Sequence, residues 1–163
     1  MMRKSLLRVC ALASIFLIGL WSPIMSEEEC VKNAWEKYGA KAYEKSIEFA
    51  DKCIDEFGRA ALRTQKQLDS LNIPMPPVGK VSAAERDAIF NRGLLNDVAT
   101  AYYIKGRSAE ALYHKGDSTT QHYKALAEDA YAGACELSYG RTWDPKGWFW
   151  SPCQAANDRL PIE

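Results

Sequence analysis

The chain has 163 residues, the length of one ordinary domain. Its 21 basic and 21 acidic residues cancel and are interspersed, so nothing in them points to the basic face that nucleic-acid binding needs. Alanine, lysine, glutamate and leucine are plentiful, while valine and isoleucine are sparse outside the first residues, a mix that favours helix over sheet.

Residues 1–26 read as a secretory leader. Arg3, Lys4 and Arg8 form a basic start, and an uncharged apolar run follows from Val9 to Trp21. Pro23 then breaks the segment, and Ser26 offers a small residue for cleavage. The run is short for a spanning helix, which needs about 20 residues. An uncleaved amino-terminal anchor is the rival reading, and the only route by which this chain would meet a membrane. Export leaves residues 27–163 as the mature domain, with four cysteines in an oxidising compartment: Cys30, Cys53, Cys135 and Cys153. Four cysteines allow three pairings.

Apolar residues from Val31 through Trp35, Tyr38, Ala42, Ile47, Ala50, Cys53 and Phe57 recur at three and four residues, which predicts helix from Glu27 onward. A break falls at Gly39-Ala40-Lys41. The second helix continues through Ala61, Gln65 and Leu68 to Leu71-Asn72-Ile73. Residues 72–81 contain Pro74, Pro76, Pro77 and Gly79 and form a connector inside one domain. Ser82 with Glu85 is a capping box that starts a helix at Ala83, and Gly93 separates it from a longer one reaching Lys115. Gly116-Asp117-Ser118 is a turn, and another helix spans about Thr119 to Leu137. Asp144-Pro145 reads as the start of a last helix, which Pro152 restarts with Ser151 as a second cap.

Two segments resemble the tetratricopeptide repeat, a pair of antiparallel helices of about 34 residues with small side chains where the helices cross. In the first, Ala34 fills the small slot of one helix, Ala42-Tyr43 falls at the turn, and Ser46, Ala50 and Cys53 fill those of the next. In the second, Ala109, Leu112 and Gly116-Asp117 match a helix end and its turn, and Leu126, Ala130 and Gly133 the following helix. An alternative register places Val98-Ala99, Tyr102, Gly106 and Ala111 at the repeat's spacing. The first turn departs from the pattern, with Lys41 where glycine is usual. The resemblance implies an all-α fold of antiparallel hairpins in a right-handed stack of about five to seven helices. It also implies a concave groove lined by the first helix of each pair, which carries Trp35, Tyr38, Tyr103, Glu110, Tyr113 and His114 toward a protein or peptide partner.

With the first turn near Lys41, Cys30 and Cys53 are about equally far from it on facing helices. Cys135 and Cys153 flank Asp144 symmetrically. Both pairs could staple antiparallel helices; buried free thiols are the alternative.

No Cys-x-x-Cys, Gly-rich phosphate loop, His-Glu-x-x-His or Gly-x-Ser-x-Gly occurs, and His114 and His122 are eight residues apart, not the four that aligns two ligands on a helix. The expectation is therefore a non-catalytic chain without metal or cofactor, with both histidines exposed beside a turn. The run Trp148-Phe149-Trp150 would spread its rings over about 200° on a helix. Two rings would then pack inside, with one left at the rim. The rival reading is a carbohydrate-binding accessory or glycan-acting protein, with Trp148 and Trp150 stacking on sugar rings and a carboxylate pair supplying any chemistry.

Overall fold

The computed structural model describes residues 25–116 and 120–162. The proposed leader lies outside them apart from Met25 and Ser26, as does most of the turn at residues 117–119. The all-α class is observed. Six helices lie among the described residues: α1 (Glu27–Gly39), α2 (Tyr43–Ser70), α3 (Ala83–Phe90), α4 (Gly93–Tyr113), α5 (Gln121–Glu136) and α6 (Pro152–Asn157). One hairpin, β1 (Thr142–Asp144) with β2 (Trp148–Trp150), interrupts them.

Local chemistry sets the helix ends. The Ser26 hydroxyl accepts from the Glu29 N–H, and three glutamates occupy the first turn of α1 next to its positive pole. Ser82 and Glu85 form the reciprocal capping box of α3. The α1–α2 turn needs a left-handed residue, and Lys41 takes it at φ 59° where glycine would be unstrained.

α1 and α2 are antiparallel, and the small residues sit at their crossing: Ala34, Ala50, Cys53 and Ser46 are buried. Ser46 donates to the Ala34 carbonyl at 2.9 Å, and Ser108 of α4 donates to Ser46 at 2.9 Å. One buried hydroxyl pair thus ties three helices together, at a spot where larger side chains would hold the axes apart. The Cys30–Cys53 disulfide closes the far end of this hairpin, with Cα atoms 5.7 Å apart. α4 is the central rod, packed against α1, α2, α5 and α6. It meets α5 through a reciprocal fit: the Tyr131 ring lies on Gly106, and the Tyr102 ring lies on Gly133. Cys135–Cys153 then pins α6 to α5.

The helix expected from Asp144 is not formed. Residues 142–150 make a hairpin in which the Lys146 N–H donates to the Asp144 carboxylate and Gly147 adopts φ 93°. Asp-Pro followed by glycine two residues later serves a turn as well as a helix start, and the β-forming Trp-Phe-Trp run decides between them. The strand alternation replaces the helical spread: Phe149 is buried while Trp148 points outward. α6 does begin at Pro152, with the Ser151 hydroxyl accepting from Gln154.

The connector is tied to this hairpin. Gly79 and Phe149 exchange both backbone hydrogen bonds, at 2.7 and 2.9 Å. Arg141, 4% exposed, donates to the carbonyls of Pro76, Pro77, Ser138 and Gly140, and the Tyr139 hydroxyl donates to that of Ile73. Proline carbonyls cannot be satisfied by a helix or a ladder here, so a buried guanidinium with its fixed fan of donors takes them.

Candidate binding groove

Three helical elements and the hairpin converge on one concave face. Trp35 comes from α1, Tyr103 from the middle of α4, and Trp148 and Trp150 from β2. Together with Trp143, Thr142, Asp144, Pro145 and Ala155 they line an open cleft of about 580 Å³. The rings brace one another. Trp150 meets Tyr103 edge-on at 5.1 Å, Trp35 lies 6.4 Å from Tyr103, and Tyr38 packs edge-on against Trp35 at 5.8 Å. Tyr103 is almost wholly buried and forms the floor, whereas Trp148 and Trp143 remain well exposed at the mouth. Rings held this way lose little freedom when a ligand arrives.

Tyr103 and Ala155 are shared with a second cleft of about 550 Å³, lined also by Glu110, His114, Asp158, Arg159, Pro161 and Ile162. Its chemistry centres on Glu110, whose side chain is 13% exposed. Tyr131 donates to it at 2.6 Å, Arg159 donates to both its oxygens at 3.1 and 3.2 Å, and the Arg107 guanidinium lies 3.7 Å away. Burial, then the hydrogen bond to Glu110, push the Tyr131 hydroxyl well above the usual tyrosine range, so it remains a donor. For Arg159, burial opposes the charged form, but the Glu110 carboxylate outweighs it and raises the guanidinium's affinity for its proton. Arg107 reaches onward, donating to Tyr38 at 2.6 Å and to Tyr103 at 3.1 Å. Glu110 is thus fully engaged as an acceptor, its charge balanced by two arginines. It organises this end of the groove rather than standing free as a base. Among the described residues, no group of three or more His, Cys, Asp or Glu side chains is arranged to hold a metal ion.

Of the residues named from sequence, Trp35, Tyr103, Trp148 and Trp150 share the aromatic cleft, and Glu110 and His114 line the polar one. Tyr38 supports them from behind through Trp35 and Arg107. Tyr113 is not brought in: it packs toward α5, with the Lys124 ammonium 5.6 Å from its ring centre. His114 is exposed, its Nε2 3.9 Å from Glu110. His122 belongs to α5 and stacks at 3.8 Å on Tyr123. Both expected cysteine pairs are bonded.

Sequence reasoning missed Arg107, Arg159, Tyr131 and Trp143. Arg107 was legible, being three residues before Glu110 on one helix face. Arg159 was not, because only the chain reversal through the hairpin returns α6 to α4.

No family model, curated protein or solved structure matches the chain.

Proposed function

We propose that this chain is an exported, non-catalytic scaffold that holds a protein or peptide partner in the aromatic groove. The observation that carries this reading is the convergence of Trp35, Tyr103, Trp148 and Trp150 from separate elements on one open, braced cleft. Tryptophan and tyrosine give large contact areas at small entropic cost, the usual anchors of protein recognition. The buried small residues at the α1–α2 crossing support kinship with tetratricopeptide-type hairpins. Two disulfides in one small domain support an oxidising compartment, and no helix among the described residues is long and apolar enough to cross a membrane.

The glycan reading draws on one feature, Trp148 exposed beside Asp144 at the mouth of the cleft. A photo-crosslinking amino acid in place of Trp148, irradiated in cells that export the protein, separates the two. The scaffold reading predicts a discrete adduct that a protease degrades and that Trp150→Ala weakens. A glycosidase-sensitive adduct, or tryptophan-dependent retention on an oligosaccharide array, would overturn it.

A further inference from the structure

A third cleft, of about 510 Å³, adjoins the aromatic one, and Trp35, Thr142 and Trp143 line both. One of its walls is a cluster of three rings: Phe90, Trp143 and Phe149 have centroids 4.9 to 5.9 Å apart. Trp35 and Val31 of α1 also line it. Asp97 of α4 sits among these walls with Glu27 and Glu28 of α1.

The two glutamates have a structural reason to be there, since both occupy the first turn of α1. Asp97 has none. It stands in the body of α4, is half-buried, and makes no hydrogen bond or ion pair among the described residues. The one arginine lining the cleft, Arg141, pairs with none of these carboxylates, because its donors are spent on backbone carbonyls. With three carboxylates against that one guanidinium, the cleft presents net negative charge between aromatic faces. Burial, followed by the charges of Glu27 and Glu28, pushes the Asp97 carboxyl up to about 6, as expected of an acid lacking its cation.

We propose that this cleft seats a basic side chain of the partner, arginine or lysine, held by Asp97, Glu27 and Glu28 and stacked against Trp35 and Trp143. Carboxylates supply the charge, and ring faces attract the same cation, an arrangement that favours a planar guanidinium over an ammonium. Because Trp35, Thr142 and Trp143 separate this cleft from the aromatic one, an extended segment could fill both at once. The partner then carries a basic residue and an aromatic or large apolar residue within about three positions of each other. This rests on the reading of the aromatic cleft as a protein- or peptide-binding groove and specifies its ligand.

The test is selection from a random heptapeptide display library on the immobilised, disulfide-intact protein, run in parallel on Asp97→Asn, on Glu27→Gln/Glu28→Gln and on Trp150→Ala. On the unaltered protein, Arg or Lys should be enriched about tenfold next to an aromatic residue. That basic enrichment should fall toward the unselected frequency on both acid variants while the aromatic preference survives. Trp150→Ala should lose the aromatic preference. Asp97→Asn removes an unpaired carboxylate, so melting curves recorded alongside should show a fold at least as stable. Aromatic peptides selected with no basic preference, or with one that the acid variants retain, would overturn the acidic cleft and leave the groove standing. Failure to enrich any peptide over an uncoated surface would overturn both readings.

Discussion

A half-buried carboxylate without an ion-pair partner opposes folding whenever it is charged, and Asp97 has none among the described residues. Its carboxyl is pushed from the usual 3.8 up to about 6, chiefly by burial. Between those two values the folded chain keeps a proton that the unfolded chain has released, so stability falls as pH rises from about 4 to 6 and stays low above. Asp97→Asn should therefore stabilise the protein at pH 7.5 by roughly 1–2 kcal/mol, or several degrees in melting temperature, with the gain fading near pH 4. Melting curves of the two proteins at both pH values check this. An equal shift at both would show that folding does not raise this carboxyl, and a loss at pH 7.5 would show that the carboxylate has a partner in the fold. Arg141 is the contrasting case. Burial lowers its hold on its proton, and the charge of Arg92 lowers it further, yet its donors meet the carbonyls of Pro76, Pro77, Ser138 and Gly140. One buried cation is satisfied by backbone, while one half-buried anion is satisfied by no partner among the described residues.

At the scale of elements, the α4–α5 contact shows how close approach is achieved. A Cβ on Gly106 would collide with the Tyr131 ring, which is fully buried and held by its bond to Glu110. A Cβ on Gly133 would sit 2.5 Å from the Tyr102 ring, which is only half-buried and can swing away. Alanine gains about 1 kcal/mol over glycine in a helix, against roughly 1–3 kcal/mol for overpacking. Gly106→Ala should thus lower the urea midpoint clearly, while Gly133→Ala should change it little. Equal losses at both sites would mean that Tyr102 is as immobile as Tyr131. The same contact marks what the sequence could reveal. Periodicity and capping placed the helices, because Ser82 with Glu85 and the spacing of Ala34, Ser46, Ala50 and Cys53 are local signals. The meeting of Trp35 with Tyr103 was legible through their helix positions, whereas Trp148 and Trp150 join them from a strand and Tyr113 turns toward α5. The hairpin was misread because Asp144-Pro145 serves two structures. The meeting of Glu110 with Arg159, and of Asp97 with Glu27, depends on chain reversals that no local pattern encodes.

Across the whole molecule, α4 connects the packed core to the clefts. One side of it is sealed by buried small residues against α2 and α5; another faces the three adjoining clefts and contributes Asp97, Tyr103 and Glu110 to them. Cys30–Cys53 braces the hairpin that carries Trp35, and Cys135–Cys153 braces α6, just ahead of Arg159. Each crosslink thus steadies a wall of the groove as well as the fold, and each is worth roughly 2–4 kcal/mol if unstrained. Such a preorganised groove suits recognition, which rewards rigid anchors. The most direct measurement follows the indole N–H signals of Trp35, Trp143, Trp148 and Trp150 in nitrogen-labelled protein. It is titrated first with a selected basic-aromatic peptide and then with an oligosaccharide panel. Saturable shifts of Trp35 and Trp150 are expected with the peptide and none with the sugars. Shifts of those two signals with a sugar, while the peptide leaves them unmoved, would contradict it.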